Sequence, residues 1–342
     1  MSILVVGEFL TSGDAEAGEP FRDGLGKMLR SFLHSAGISP RECEFTCVIL
    51  EESPGRGVYG FCGMKDEGIP RVRALTRGKY VLARYEEARN RLWNKINATR
   101  PNLVIALGDL ALWALTSEPS LKNARGRITS GNSGIPGIKV LPTYAPRQIA
   151  ADYSLRPILL ADLSKARRQS LFPEVRRPQR FVHLYPSLSD LHSFSEEFIS
   201  DSPKLDVDIE TKGSMITCVG FAPSPERVLV VPFFSEASPA GNYWPTMEEE
   251  LLAWQWVRET LALPKRVCGQ NFQYDAQYLW REMGIPIPGF TDDTMLMHHA
   301  LQIEMPKGLG FLASCYTDEL AWKFMMKIAA SDRGVKKGDG NE

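Results

Sequence analysis

Acidic and apolar side chains alternate in the segment Leu205-Asp206-Val207-Asp208-Ile209-Glu210. Successive side chains of a β-strand point to opposite faces, so the three carboxylates would share one face while the apolar residues enter a core. Carboxylates on one face repel each other unless a cation neutralises them, and oxygen ligands suit Mg²⁺ or Mn²⁺. The segment therefore predicts a strand that could carry a metal site, although Asp-x-Glu alone occurs by chance in many proteins.

A further acidic position follows about 60 residues later in the run Val-Cys-Gly-Gln-Asn-Phe-Gln-Tyr-Asp, residues 267–275. The run predicts a short strand that leads into a helix. Asp275 falls in the first turn of that helix, where the helix dipole favours a carboxylate. Two roles remain open for Asp275 from these residues, a helix cap and a ligand of a metal shared with the earlier strand.

The order Asp-Ile-Glu-Thr at 208–211 and Asn-Phe-Gln-Tyr-Asp at 271–275 resembles the first two motifs of DEDD 3′–5′ exonucleases. Residues 293–297 and 308–317 are similar to the proofreading domain of bacterial and phage family A DNA polymerases. The resemblance covers about residues 180–330 and implies phosphodiester hydrolysis at a two-metal site that holds Mg²⁺ or Mn²⁺. The catalytic metal ligands implied are Asp208, Glu210 and Asp275.

The resemblance also implies DNA contacts beside these acids. Asn271 would help to position the strand end. Phe272 and Tyr274 would either stack on bases or pack against the protein, and packing is favoured. Asp206 stands where the family has an apolar residue, and we interpret it as a bystander or as a neighbour of the ligands.

The family's third motif, a Tyr followed a few residues later by the last Asp, is missing after residues 316–319. The late acids Asp318, Asp332 and Asp339 have no Tyr at the expected spacing before them. The chain thus looks like the N-terminal portion of a longer polymerase, or like a version without its last ligand. We expect one metal ion to bind weakly and nuclease activity to be poor or absent in this chain alone.

The first half of the chain is basic and the second half is acidic. Residues 1–180 contain 27 Lys and Arg against 18 Asp and Glu, whereas residues 181–342 contain 13 against 23. A basic half fits a polyanionic partner, because Lys and Arg displace counterions from phosphates. The acidic half fits a metal site or a solvated surface. The candidates for contact with a DNA backbone are Arg22, Lys27, Arg71, Arg73, Arg77, Lys79, Arg125, Arg127 and Arg147.

Glycines in the first half stand where a strand ends and a helix begins, as Gly7-Glu8 and as Gly18-Glu19-Pro20-Phe21. Such positions allow a base or a phosphate to approach closely. Together with residues 100–108, 126–128 and 140–146, they resemble the uracil-DNA glycosylase superfamily over residues 3–168, particularly its iron–sulfur-bearing bacterial branch.

In that family the Gly-Glu loop approaches a flipped base, a Phe stacks on it and a late His serves catalysis. Glu8 and Phe21 match the first two features, but Ala145 stands where the His would be. We therefore expect a degenerate base pocket that binds without cutting, with glycosylase activity lost. Cys43, Cys47 and Cys62 give three thiols where a cluster of this type needs four, so no iron–sulfur cluster is expected. Structural cysteine is favoured over zinc.

Alternating strands and helices in the first half predict an α/β domain with a parallel sheet covered by helices, like the three-layer glycosylases. Three consecutive strand candidates followed by helices in the second half predict an RNase H-like α+β domain of the DEDD exonuclease type. The predicted boundaries are a glycosylase-like domain at 1–168, an Arg/Pro-rich linker at 169–180 and an exonuclease-like domain at 181–342. The linker could be a solvated tether or a strap that contacts phosphates.

The sequence thus predicts a DNA replication or proofreading module, a metal-dependent 3′–5′ exonuclease acting on single-stranded DNA. The alternative is a non-catalytic DNA-binding or polymerase-tethering protein with two degenerate sites, so enzymatic activity is left open. The expected partners are single-stranded or primer-template DNA and a polymerase domain in cis or in trans. No apolar run approaches the roughly 18 residues that span a bilayer, so no membrane partner is expected. A cytoplasmic location, bacterial or in the host of a phage, is expected from the six cysteines and the absence of a signal peptide.

Overall fold

The computed structural model describes residues 2–55, 57–116, 118, 120–287 and 291–320. The chain forms two compact units, one of residues 1–176 together with the chain from Gly310 onward, and one of residues 177–309. Among the described residues, no helix is both long enough and apolar enough to cross a membrane.

The strands of the first unit are β1 (Ile3–Leu10), β2 (Cys43–Glu52), β3 (Cys62–Gly63), β4 (Tyr80–Val81), β5 (Leu103–Leu107), β6 (Thr129–Ser130) and β7 (Lys139–Thr143). Its helices before the second unit are α1 (Ser12–Ala17), α2 (Gly24–Ser35), α3 (Glu86–Thr99), α4 (Asp109–Leu115), α5 (Leu121–Ala124), α6 (Pro146–Ala151) and α7 (Arg156–Gln169). The main sheet has the order β2-β1-β5-β7-β6, and all neighbours are parallel except β6 and β7.

Strand β1 shows why this sheet is covered on both faces. Ile3 and Val5 enter the core that α2, α6 and α7 cover, whereas Leu4 and Val6 enter the core on the other face, against α3 and α4. A parallel strand buried on both faces has to be apolar at every position, because its side chains alternate between the faces. The result is the three-layer α/β arrangement that the sequence predicts.

The second unit contains β8 (Phe181–His183), α8 (Leu188–Phe194), β9 (Lys204–Lys212), β10 (Met215–Ser224), β11 (Arg227–Pro232), α9 (Met247–Leu261), β12 (Arg266–Gly269), α10 (Gln273–Met283), β13 (Thr291–Asp293) and α11 (Thr294–Leu301). Its sheet has the order β13-β12-β9-β10-β11-β8. The strands β9, β10 and β11 form an antiparallel meander, and β12 and β13 continue the sheet in parallel on the other side of β9. This is the strand arrangement of an RNase H-like domain.

Helix α12 (Leu309–Tyr316) lies in the last described segment, of which residues 310–320 belong to the first unit. Arg125 donates to the Asp162 carboxylate over 2.5 Å and to the Ser314 hydroxyl. The ammonium of Lys165 is buried and donates to the carbonyl oxygens of Ser314, over 3.0 Å, and of Thr317. The stretch that the sequence analysis places in the exonuclease-like half is therefore held by buried cations of the glycosylase-like half.

We predict that Lys165→Ala destabilises the first unit. Lys165 also forms a 3.4 Å ion pair with Asp318, and breaking a buried ion pair costs about 3–5 kcal/mol because the remaining charge stays buried. Urea unfolding followed by circular dichroism would measure the shift of the transition. Arg168→Ala, which changes an exposed cation on the same helix, is the matched control. Equal transitions for both variants and the unaltered chain would contradict the assignment.

Candidate functional site

Strand β9 presents its carboxylates as the alternation predicts. Leu205, Val207 and Ile209 are buried in the core of the second unit, while Asp208 and Glu210 are exposed on the opposite face. Asp206 lies on the same face as these two, but Lys204 neutralises it through a 2.9 Å ion pair. Asp206 is thus satisfied by its own strand, which leaves Asp208 and Glu210 as the candidate ligands on this face.

Asp275 lies in the first turn of α10, and only 3% of it is exposed. Its Oδ1 accepts a hydrogen bond of 2.8 Å from the backbone N–H of Ile209 in β9. Strand β12 pairs with β9 only as far as Asp206, so it leaves the edge of β9 beyond that residue without a strand partner on this side. The start of α10 fills that gap and brings the Asp275 carboxylate against the acidic strand.

The environment of Asp275 raises its pKa to about 6, chiefly through burial. The hydrogen bond from Ile209 lowers the pKa, whereas the neighbouring carboxylates of Asp208 and Asp293 raise it further. Among the described residues, no Lys, Arg or His forms an ion pair with Asp275. A buried carboxylate that faces another carboxylate is stabilised by a bound cation, because the cation offsets both the burial and the repulsion.

A divalent ion fits this pair in chemistry, since Asp208 and Asp275 supply the hard oxygen ligands that Mg²⁺ and Mn²⁺ prefer. Within the described part of the chain, however, no three His, Cys, Asp or Glu side chains converge as one metal-binding group. Of the three acids that the resemblance implies as metal ligands, the structure places Asp275 beside Asp208, and Glu210 lies further along the same strand face.

Asp293, at the end of β13, organises the turn that leads into α10. Its carboxylate accepts from the backbone N–H groups of Asn271, over 3.0 Å, and Phe272, over 2.8 Å. The same carboxylate caps α11 by accepting from the N–H of Met295. Our sequence reasoning missed this role, although an Asp immediately before a helix beginning at Thr294 is a recognisable N-cap signal.

The predicted DNA contacts of this unit separate into exposed and packed residues. Asn271 is exposed and has a left-handed backbone, with φ of 56°. Phe272 is buried in the core, so it packs rather than stacks on a base. The Tyr274 side chain is 41% exposed, and its hydroxyl lies 2.7 Å from the Thr211 hydroxyl of β9.

Asp318 is the one late acid within the described residues, since Asp332 and Asp339 lie outside them. Its carboxylate accepts from Gln169 over 2.7 Å and pairs with Lys165 at 3.4 Å, both in the first unit. These contacts already neutralise Asp318 where it lies.

In the first unit, Glu8, Phe21 and Ala145 line a single cavity of about 60 Å³. Glu8 follows Gly7 on β1, and Ala145 lies at the start of α6. The two positions meet because β1 and β7 run parallel on either side of β5, so that their carboxyl ends share one edge of the sheet. The structure thus brings together the three residues that the resemblance assigns to a degenerate base pocket.

Phe21 is held in this cavity by a strained turn. Its backbone is left-handed, with φ of 61°, and the Asp14 carboxylate accepts from the N–H groups of Arg22, over 2.7 Å, and Asp23. The ring lies so close to Gly7 that a Cβ there would be 2.6 Å from Phe21 Cζ. Gly7 is therefore required for the approach of the ring, and Asp14 fixes the turn that carries it.

Glu8 is buried, and its two carboxylate oxygens have different partners. One oxygen accepts from the backbone N–H of Leu110 over 3.2 Å, and the other from the Arg147 guanidinium over 2.7 Å. Burial raises the pKa of Glu8, and Arg147 lowers it. Position 145 is an alanine, and the polar residues that line this pocket are Thr11, Asp14, Asp23 and the paired Glu8 and Arg147.

Four of the nine basic residues named as candidates for DNA contact show how different their environments are. Lys27 is exposed on α2, and Arg22 pairs with Glu19 on the surface. Arg147 is half-exposed and is committed to Glu8. Arg127 is buried and donates to the carbonyl oxygens of Gly310, over 2.7 Å, and Glu319, over 3.0 Å. The guanidinium of Arg127 thus holds the segment around α12, which corrects its interpretation as a surface contact for phosphates.

The six cysteines carry free thiols. In the first half of the chain, Cys47 is buried, and Cys43 and Cys62 are partly buried. Burial raises the pKa of Cys43 to about 11 and raises that of Cys47 still further. Thiols with raised pKa values are protonated at neutral pH and are poor ligands and nucleophiles in that state.

Among solved structures, the chain is similar to the EXD2 exonuclease domain soaked in Mn and GMP, with 15% identity over 46% of this chain and 79% of that one, and a TM-score of 0.28. It is also similar to the Nibbler EXO domain of Aedes aegypti, with 12% identity over 40% of this chain and 68% of that one, and a TM-score of 0.30. A search of curated protein sequences gave no match.

Residues 1–170 match the family model of the Uracil DNA glycosylase superfamily. The α/β fold class expected from the sequence is confirmed by this match together with the strand orders of the two sheets. Residues 1–170 are therefore similar to the uracil-DNA glycosylase superfamily, and a second unit with its own sheet follows them in this chain.

Proposed function

We propose that this chain is a DNA-processing module whose second unit hydrolyses the 3′ end of single-stranded DNA with a divalent metal. The observation that carries the proposal is the placement of Asp275, a buried carboxylate set against the exposed Asp208 at the open edge of β9. The resemblance of the motifs around these residues to those of 3′–5′ exonucleases supports the 3′ end as the place of hydrolysis. The proposal includes a family A polymerase in cis or in trans, and a cytoplasmic location.

The residues of the second unit have separable tasks in this reaction. Asp208 and Asp275 would hold the metal, with Glu210 on the same strand face as a further oxygen ligand. When bound, a divalent ion activates water and stabilises the leaving 3′ oxygen. The hydrogen bond from Ile209 fixes the Asp275 carboxylate, and Asp293 fixes the turn that carries Asn271. Exposed Asn271 and Tyr274 would contact the strand end.

The first unit would bind DNA without releasing a base. Glu8 is already paired with Arg147, and Ala145 supplies no group that could activate water or stabilise a departing base. The stacking residue Phe21 remains, held against Gly7 at the wall of the cavity. An aromatic ring beside polar groups can still receive an unstacked base.

A second candidate function is DNA binding or polymerase tethering without hydrolysis. The observation that favours it is Asp318, which is engaged by Lys165 and Gln169 in the first unit rather than by a metal. With Asp208, Glu210 and Asp275 alone, metal affinity would be low. Metal binding and DNA cleavage distinguish the two functions.

We predict that Asp208→Asn weakens Mn²⁺ binding by about a hundredfold, at the upper end of the 10–100-fold effect of changing groups around a metal. The substitution removes one of the two neighbouring carboxylates. The site thereby loses an oxygen ligand and one of the two negative charges that attract the cation. Isothermal titration calorimetry with Mn²⁺ would measure the affinity. Asp206→Asn is the matched control, because Asp206 is on the same face but paired with Lys204. Equal affinities in the two variants would exclude Asp208 as a ligand.

We predict slow, metal-dependent shortening of 5′-labelled single-stranded DNA from its 3′ end. Asp208→Ala should lower the rate about a hundredfold or more, since a metal contributes several kcal/mol to charge stabilisation. A gel time course with Mg²⁺ or Mn²⁺, and with chelator, would measure this, and Asp206→Ala should cut like the unaltered chain. DNA that is bound but not shortened would overturn hydrolysis and leave the tethering function.

The raised pKa of Asp275 predicts opposite effects of pH on stability and on metal binding. Because the folded state holds this proton more tightly than the unfolded state, the free energy of unfolding falls as pH rises from about 4 to about 6. Without metal at pH 7.5, Asp275→Asn should therefore be more stable than the unaltered chain, by on the order of 1–3 kcal/mol. Asparagine can still accept the hydrogen bond from Ile209.

Thermal unfolding between pH 4.5 and pH 8 in the presence and absence of Mn²⁺ would test this expectation. Mn²⁺ should stabilise the unaltered chain above about pH 6, where Asp275 is ionised, and the effect should fade below that pH. Asp275→Asn should not respond to Mn²⁺. A Mn²⁺ response that is independent of pH, or that survives in Asp275→Asn, would remove Asp275 from the site.

A further inference from the structure

The first unit contains a second and larger cavity of about 410 Å³. It is bounded by the loop 71–75, by α3 and α4 and by residues 132–133, and it shares no lining residue with the cavity around Phe21. Its volume lies within the 300–1,000 Å³ range of small-molecule sites.

Two tryptophans line this cavity, and both indole N–H groups are already satisfied. Trp93 donates to the carbonyl oxygen of Ala114 over 2.8 Å, and Trp113 donates to that of Arg73 over 2.7 Å. These bonds hold the rings in place, so what the rings offer a ligand is aromatic surface. Planar rings of ligands stack on such surfaces.

Arg89 also lines the cavity, and it is buried, with 8% of the residue exposed. The centre of its guanidinium lies 4.5 Å from the Trp93 ring and 5.7 Å from the Trp113 ring. One terminal nitrogen pairs with Glu86 at 3.2 Å, but the Nε atom is buried without a hydrogen-bond partner. A buried donor without a partner costs about 1–3 kcal/mol, which a ligand acceptor would offset.

Two further arginines lie in the wall. Arg71 and Arg73 are exposed on the loop, and the backbone of Arg71 is left-handed with φ of 60°. The acids in the same wall are Asp109 and Glu118, and Glu86 pairs with Arg89, so three carboxylates accompany the three arginines. Planar guanidinium groups match the oxygen atoms of a phosphate.

We propose that this cavity binds a nucleotide, with its phosphate on the arginines and its base on the tryptophans. The combination of the unpartnered Arg89 Nε donor with two fixed indoles favours a ligand that carries both an anion and a planar ring over a simple anion. The ligand could be a free nucleotide or the phosphorylated end of a DNA strand, which share this chemistry. The inference does not depend on hydrolysis by the second unit.

Calorimetric titration of the full chain with dAMP tests the proposal, with deoxyadenosine, inorganic phosphate and a 5′-phosphorylated oligo(dA) as comparison ligands. We expect dAMP to bind at least tenfold more tightly than phosphate or deoxyadenosine. Arg73→Ala should weaken dAMP binding about tenfold or more, since a hydrogen bond to a charged group contributes about 1.5–3 kcal/mol. Arg84→Ala, which changes an exposed arginine outside the cavity, should leave binding unchanged.

Arg89→Lys provides a second variant that keeps the charge but removes the Nε donor, and it should also weaken dAMP binding while the thermal unfolding profile shows that the chain is folded. If the oligonucleotide binds more tightly than dAMP, the ligand is a strand end, and if dAMP binds as tightly, it is a free nucleotide. The proposal is overturned if dAMP does not bind, if phosphate alone binds equally well, or if Arg84→Ala weakens binding as much as Arg73→Ala does.

Discussion

The hydrogen bond from Ile209 to Asp275 is the interaction on which the candidate catalytic site depends. It exists because β12 leaves β9 after Asp206, so that the following edge of the central strand has no neighbouring strand on that side. The Asp275 carboxylate, at the start of α10, accepts the hydrogen bond from the Ile209 N–H on that edge. This position buries the carboxylate beside Asp208. The Asp275 side chain thus supplies both the hydrogen-bond acceptor that this strand edge needs and the negative charge that we propose binds a metal.

The cavity of the glycosylase-like domain is shaped by packing and backbone constraints. Gly7 admits the Phe21 ring, and Asp14 holds the left-handed turn that carries this ring. The Glu8 carboxylate on the same cavity accepts a hydrogen bond from Arg147. These contacts hold the Phe21 ring and the Glu8 carboxylate at one cavity although the two residues come from different segments of the chain.

Contacts with buried cations of the first unit hold the segment that follows the second unit. Arg125 and Lys165 would be costly to bury without acceptors, and Ser314, Thr317 and Asp318 supply acceptors to one or other of them. This is why residues after Leu309 belong to the first unit in the structure, although their sequence resembles a segment of a proofreading domain. It also explains the position of Asp318, whose charge is used to neutralise a lysine.

The sequence by itself determined the classes of the two sheets and the faces of their strands. Alternation of side chains placed Asp208 and Glu210 opposite Val207 and Ile209, because it follows from local strand geometry. The alternation of strands and helices along the first half indicated a parallel sheet covered by helices. Both features depend on the order of residues along the chain and on no distant contact.

Only the tertiary structure decided which partners the charged groups find. Arg127 and Arg147 read as similar surface cations in the sequence, yet one holds backbone carbonyls and the other holds Glu8. Likewise, the sequence does not show that Asp275 accepts a hydrogen bond from Ile209 at a strand edge. Nor does it show that Asp293 accepts a hydrogen bond from Phe272 in the turn before α10. The physical reason is that these hydrogen bonds and ion pairs join residues far apart in sequence. Their contribution to the free energy of folding depends on burial and on distances that only the tertiary structure provides.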